Sequence, residues 1–107
     1  MNIQALIGRS GEVAELLKAM ANSHRLLILC TLNSGEHSVS DLEKIVNLSQ
    51  SALSQHLAKL REGGIVKTRR DAQMIYYSMA DARIGRLMVT LQREFCMPDA
   101  DKRRRIR

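Results

Sequence analysis

Two cysteines, Cys30 and Cys96, carry the only thiols of the 107-residue sequence. A thiol can be oxidised or can take up sulfur as a persulfide, and a thiolate binds soft metal ions. A cysteine that does none of these is often a small buried apolar residue. In a reducing compartment, two cysteines are not expected to form a structural disulfide framework. The residues alone therefore leave two interpretations open: a redox pair, or two core side chains.

A second candidate for chemistry is the segment 49–62, which has two different faces when it is drawn as a helix. At about 100° per residue, Leu53, Leu57 and Leu60 gather on one face and predict its burial. The opposite face and its flanks hold Gln50, Ser51, Ser54, Gln55, His56 and Ala58. Glutamine can donate and accept along an adenine edge, and serine can do either. This uncharged, hydrogen-bonding face is therefore suited to the major groove of double-stranded DNA.

The basic residues are concentrated rather than spread. The net charge is +6, of which residues 99–107 contribute +3 (five basic, two acidic) and residues 61–70 another +3 (four basic, one acidic). Positive charge that is concentrated in a few segments favours a nucleic-acid partner. We expect Arg61 to reach phosphates from the helix. Arg69, Arg70 and Gln73 are expected to contact the DNA backbone or minor groove from a hairpin tip.

Apolar spacing and capping residues predict the elements that position these groups. Helices are expected at 10–21, from a cap at Ser23 to Asn33-Ser34-Gly35, from a capping box at Ser40 to Val46, from a cap at Ser49 to Gly63-Gly64, and from a cap at Asp81 to Pro98. Segments 65–70 and 74–79 are rich in β-branched and aromatic residues and predict a hairpin that turns at 71–73. This order describes a winged helix-turn-helix, which is mainly α with a β-hairpin wing (α+β).

The length predicts one domain, residues 1–98, followed by a basic and disordered tail at 99–107. A core this small leaves apolar helix faces uncovered, so a homodimer is expected. The interface residues predicted on the first and last long helices are Leu16, Leu17, Met20, Leu87, Met88 and Leu91.

Several classes of protein are disfavoured by the sequence. No Ser/His/Asp arrangement, Gly-rich phosphate loop or carboxylate pair indicates an enzyme, and no cofactor is expected. No stretch approaches the roughly 20 apolar residues that span a bilayer. A secretory signal begins with a positively charged region, whereas no Lys or Arg precedes Arg9 in this sequence. The expected location is cytoplasmic. The three histidines His24, His37 and His56 lack close ligand spacing, so they are expected to be surface or capping residues.

Residues 22–96 resemble the ArsR family of small winged-helix repressors. The resemblance is carried by the 25–30 segment RLLILC, the 48–57 segment LSQSALSQHL, Gly63-Gly64-Ile65-Val66 and Ile75-Tyr76-Tyr77. It covers about 70 per cent of the chain. It implies a homodimer joined through its first and last helices, which binds an inverted repeat and is released by an inducer.

The family's ligand patterns bear on the inducer. Where metal-sensing members carry Cys-x-Cys, this chain has Ser38-Val39-Ser40, and its last helix offers Asp81 and Glu94 but no histidine. We therefore expect no metal site. The motifs Ile28-Leu29-Cys30 and Phe95-Cys96 match a thiol-sensing subgroup, which implies that reactive sulfur or an oxidant links the cysteines and releases DNA. The alternatives are a metal(loid)-responsive repressor, or an activator that displaces a silencer.

Overall fold

We describe residues 2–96 of a computed structural model. The predicted helix stop at Pro98 and the predicted basic tail at 99–107 lie outside this range. Within it, the elements are α1 Ile3–Ile7, α2 Ser10–Met20, α3 Ser23–Leu32, β1 His37–Ser38, α4 Val39–Val46, α5 Gln50–Glu62, β2 Val66–Asp71, β3 Met74–Met79 and α6 Ala82–Phe95. The predicted winged helix-turn-helix is confirmed. Helix α1 and the two-residue strand β1 were not predicted from the sequence. In the described range, no helix is both long and apolar enough to cross a membrane.

Leucines on one face of α5 form the centre of the core. Leu53, Leu57 and Leu60 are 0–1% exposed, as the helical spacing predicted. The side chains that complete the core come mainly from α2, α3, α4, β2 and α6. The remaining core residues are Met20, Ile28, Leu29, Leu32, Leu42, Val46, Ile65, Val66, Ile84 and Met88. Burial of this face fixes how α5 is rotated about its axis, and it directs the opposite face outward.

Two of the six residues predicted for the dimer interface lie in the core of one protomer. Met20 and Met88 are 3% and 4% exposed within one chain. A residue already buried in its own protomer has little surface left to give to a partner, and the assignment of all six residues to the interface stays a prediction. The apolar faces of α2 and α6 are wide enough to reach both the core and the protein surface. Leu17 is 48% exposed, and Leu16, Leu87 and Leu91 are half-buried at the edge of the core.

Two of the predicted helix caps are displaced along the chain. Asn22 rather than Ser23 caps α3, because its Oδ1 accepts from the amides of His24 (2.9 Å) and Arg25 (3.2 Å). Ser38 rather than Ser40 caps α4, and its Oγ accepts from the amide of Asp41 at 3.1 Å. In both cases the true cap has the extended backbone that a capping residue needs.

The other two predicted caps are confirmed. Ser49 Oγ accepts from the amide of Ala52 at 3.2 Å, and Asp81 Oδ1 accepts from the amide of Arg83 at 3.0 Å. Between α4 and α5, the predicted tight break is made by Asn47, whose φ of 53° is left-handed. Both helices of the helix-turn-helix therefore begin at a serine whose side chain satisfies a free backbone amide.

The three strands form one antiparallel sheet in the order β1-β3-β2. In β1, His37 and Ser38 pair with Tyr77 and Tyr76, and Tyr76 also lies opposite Arg69 of β2. The wing turns at Ala72 and Gln73, since Asp71, predicted to be in the turn, pairs with Met74. The wing is thus joined by backbone pairing to the segment that begins α4.

Candidate DNA-binding surface and cysteine pair

The outer face of α5 carries the residues predicted to read bases. Gln50, Ser51, Ser54 and Gln55 are exposed, opposite the buried leucines. Within residues 2–96, none of these four side chains makes a hydrogen bond to another residue. Amide and hydroxyl groups in this state are free to bind groups on another molecule.

A groove of about 620 Å³ separates this helix face from the wing. Gln50, Ser54, Ala58 and Arg61 line it from α5, and Gln73 lines it from the wing turn. The structure therefore places five residues of the predicted DNA surface around one concave feature. Ser51 and Gln55 lie on the exposed side of α5 and do not line the groove.

His56, predicted to flank the reading face, points toward α3 instead. Its ring centroid is 5.5 Å from that of His24, and its Nδ1 is 3.5 Å from Nη1 of Arg25. Burial lowers the pKa of His56, and the nearby Arg25 and His24 lower it further. The spacing contained the signal: His56 is three residues after Leu53 and four before Leu60, which places it beside the buried face.

The histidines are less isolated than the sequence suggested. His24 and His56 are both half-buried and in ring contact, whereas His37 Nδ1 donates to Gly35 O at 2.8 Å. Among residues 2–96, no group of three or more His, Cys, Asp or Glu side chains comes together as a metal site would require.

Arg69, predicted to contact DNA from the hairpin tip, is held in the middle of β2. Its Nε and Nη2 donate to Glu36 Oε2 and Oε1 at 3.0 and 2.7 Å. Its guanidinium carbon also lies 4.5 Å from the centre of the Tyr76 ring. The hydrogen bond from Arg69 lowers the pKa of Glu36. Arg70, by contrast, makes no ion pair with any residue in 2–96 and lies nearer the turn.

The two predicted sensor cysteines sit on neighbouring helices, and both are free thiols. Cys30, on α3, is half-buried, and its Sγ accepts from Nε2 of Gln92 on α6 at 3.0 Å. Cys96 is exposed and ends α6, donating its amide to Gln92 O at 2.8 Å. Residues four apart lie on one face of a helix. Cys96 therefore follows, one turn later, the residue that touches Cys30.

Close packing of α3 against α6 continues at Gly85. Asn33 Nδ2 donates to Gly85 O at 3.2 Å. A Cβ at position 85 would lie only 2.8 Å from Asn33 Oδ1. The missing side chain thus allows α6 to approach the end of α3, and the approach brings the helix of Cys96 alongside that of Cys30.

A helix-turn-helix followed by a wing, with a free polar face on its second helix, defines a DNA-binding transcriptional regulator rather than an enzyme. The model of a family described as bacterial regulatory protein, arsR family, matches residues 22–68. The transcriptional activator HlyU of Vibrio cholerae is 46% identical over 96 residues, which cover 90% of this chain and 89% of that protein. The chain belongs to the arsR family.

Solved structures agree. The transcriptional repressor BigR from Xylella fastidiosa is 41% identical, with a TM-score of 0.87 over 92% of this chain and 100% of that one. A homodimeric winged helix-turn-helix DNA-binding domain from Mycobacterium bovis is 32% identical, with a TM-score of 0.72 over 86% and 83% of the two chains. The relatives thus include both an activator and a repressor.

The contact of His56 with Arg25 and His24 predicts a pH-dependent stability. Its pKa lies below the ordinary value of 6.5 in the folded chain, so the unfolded chain binds the proton more readily. The free energy of unfolding should then be greatest above about pH 6.5 and decrease as the pH falls. Urea unfolding between about pH 7.5 and about pH 5.5 should show a smaller decrease in His56→Gln than in the wild type.

His37→Gln is the matched control, because it leaves the His24–His56 contact in place. It should keep the wild-type dependence on pH. If His56→Gln loses stability as steeply as the wild type over this pH range, the contact of His56 with His24 and Arg25 does not control the pH dependence of the free energy of unfolding.

Proposed function

We propose that this chain is a homodimeric repressor that binds an inverted repeat in double-stranded DNA, and that a reactive-sulfur or oxidant inducer releases it by linking Cys30 to Cys96. The observation that carries DNA reading is the exposed glutamine and serine face of α5 beside the wing. Such a regulator would act in the cytoplasm, where the DNA of a bacterium lies.

Base reading follows from the chemistry of that face. Gln50, Ser54 and Gln55 offer donors and acceptors that match base edges, and a small residue, Ala58, permits a close approach. Arg61 and the free amides at the start of α5 supply positive charge or partial charge for phosphates. Arg70 and Gln73 extend the same surface onto the wing.

The reading face can be tested by truncation. Ser54→Ala and Gln55→Ala should each weaken binding to a sequence-specific site by roughly 1–3 kcal/mol per lost base contact. The site would be selected with the wild-type protein from random double-stranded oligonucleotides. Binding to mixed-sequence DNA serves as the control and should change little. Normal specific binding by both folded variants would show that α5 does not read the bases.

Dimerisation is supported by apolar surface that one protomer leaves uncovered. Large exposed apolar side chains lie on α1, α2 and α6. They are Ile3 (62%), Leu6 (41%), Ile7 (60%), Leu17 (48%), Val89 (45%) and Phe95 (72%). Together with the half-buried Leu16, Leu87 and Leu91, they support an interface formed by both ends of the described chain. The homodimeric relative from Mycobacterium bovis supports the same assembly.

The interface predicts a charge-sensitive dimer. The wild type should sediment as a dimer at micromolar concentration, whereas Leu17→Glu should dissociate it, since a carboxylate would be buried without a partner. Ile45→Glu is the matched control: Ile45 is 55% exposed but lies on α4, and its replacement should leave the dimer intact. A wild-type monomer at that concentration would contradict the proposal.

The sensing step is a transfer of sulfur followed by exchange. One cysteine thiolate attacks the terminal sulfur of an organic persulfide, RSSH, and forms a cysteine persulfide as RS⁻ leaves. The second thiolate then attacks the sulfur bonded to the protein, and hydrosulfide leaves as the Cys30–Cys96 disulfide forms. The two cysteines are oxidised and the transferred sulfur is reduced. A disulfide needs Cα atoms about 4.4–6.8 Å apart, whereas a polysulfide bridge tolerates a wider gap.

The consequence for DNA follows from which helices are joined. The bridge would tie α3, in the core, to the end of α6, which carries the proposed dimer contacts. A dimer must present its two reading helices to major grooves about 34 Å apart. A small rotation of α6 therefore changes the distance that matters most for affinity.

Cysteine variants test this mechanism. Cys30→Ser and Cys96→Ser should bind DNA when reduced, and neither should form the intrachain bridge or release DNA when treated with an organic persulfide. Peptide mapping beside a binding titration measures both events. A wild-type bridge that leaves DNA affinity unchanged would make the cysteines structural. Full release of the double serine variant by a metal ion would favour the metal-responsive alternative.

Repression itself is open to one alternative that a relative supports. HlyU of Vibrio cholerae is named an activator, so displacement of a silencer is the second candidate outcome of the same binding. A reporter gene carrying the selected site distinguishes them. Deletion of the regulator should raise expression if it represses, and should lower expression only in the presence of a silencer if it activates.

A further inference from the structure

Three side chains connect the wing to the segment before α4. The guanidinium of Arg69 on β2 is bound at two nitrogens by the carboxylate of Glu36 and stacks on Tyr76 of β3. Glu36 immediately precedes β1, whose Ser38 caps α4. A single stretch, 36–38, therefore contacts the wing through its first residue and starts the helix-turn-helix through its last.

The backbone pairing between β1 and β3 is short. β1 contributes only two residues to the sheet, and short strands are marginal without side-chain support. Isolated surface ion pairs contribute little, but a bidentate arginine–carboxylate pair is the exception, and stacking on an aromatic ring adds to it. The Arg69 contacts have both features, so they strengthen the short pairing that joins the wing to the segment before α4.

The same contacts make Arg69 a poor phosphate ligand. Two of its donors are already used, and the pair with Glu36 has no net charge. Affinity for DNA depends on salt through the net positive charge that replaces counterions on phosphates. A neutral pair supplies none of it, whereas Arg70, with no ion pair in residues 2–96, can supply a full charge.

We propose that Arg69 is a positioning residue: held by Glu36 and Tyr76, it sets the angle of the wing against α4 and α5, and Arg70 makes the phosphate contact. The inference rests on the proposed DNA binding and deepens it. It predicts that the geometry of the Arg69 fork matters more than its charge. Lysine keeps the charge but cannot form the bidentate, stacked contact.

The test measures binding to a mixed-sequence duplex long enough for two half-sites, at several salt concentrations, by fluorescence anisotropy. Arg69→Lys and Glu36→Gln should each lower affinity roughly three- to tenfold. The loss in Glu36→Gln is informative, since removing a negative charge would otherwise favour a polyanion. Arg9→Lys is the matched control and should bind like the wild type, because Arg9 lies at the start of α2 and its one ion pair within residues 2–96 is a 3.9 Å contact with Glu12. Arg70→Gln should flatten the logarithmic salt slope by about 0.9.

Hydrogen exchange of the β1–β3 amides, measured without DNA, gives a second readout. It should accelerate in Glu36→Gln and Arg69→Lys and remain unchanged in Arg9→Lys, with all variants keeping the wild-type helical circular dichroism. The positioning role is overturned if Glu36→Gln binds more tightly with a steeper salt slope, because Arg69 would then be a phosphate ligand that Glu36 restrains. It is also overturned if Arg69→Lys binds and exchanges like the wild type. A wild type that binds no DNA would instead refute the proposed function.

Discussion

The burial of three leucines on α5 is the constraint on which the rest of the molecule depends. Leu53, Leu57 and Leu60 are almost completely removed from water, and each contributes on the order of 2 kcal/mol of transfer free energy. Rotating α5 to bury its polar face instead would expose all three and leave amides and hydroxyls without partners. The glutamines and serines therefore point outward because the leucines point inward, and the proposed DNA-binding surface is the reverse side of the core.

The wing depends on a different and more local constraint. Its two strands pair with each other along six residues, and β3 also pairs with the two residues of β1 that lead into α4. Ser38 belongs to that strand and also caps α4, so the same residue ends one element and begins the next. The Glu36–Arg69 pair lies one residue away. The segment 36–38 thus links the wing to the start of the helix-turn-helix, and it does not line the groove beside the proposed base-reading face.

The contact between α3 and α6 places Cys30 against Gln92, one helical turn before Cys96. Gly85 lets α6 approach Asn33 closely, and farther along the same helix Gln92 reaches the sulfur of Cys30. α6 also carries apolar side chains that one protomer leaves exposed. A covalent change at the end of α6 would therefore act on a helix that shares contacts with the core on one side and, in the proposed dimer, with a second protomer on the other.

Local signals in the sequence were sufficient for the fold class, for the helix-turn-helix, for the caps at Ser49 and Asp81, and for the outward face of α5, because periodicity and capping depend on near neighbours. The displaced caps at Asn22 and Ser38 show the limit of that reasoning, since serines and asparagines in adjacent positions compete and the backbone chooses between them. Contacts distant in sequence were decided only by tertiary structure. The pairing of Arg69 with Glu36, the turning of His56 toward Arg25, and the burial of Met20 and Met88 each depend on which elements pack together, and no spacing within one element encodes that.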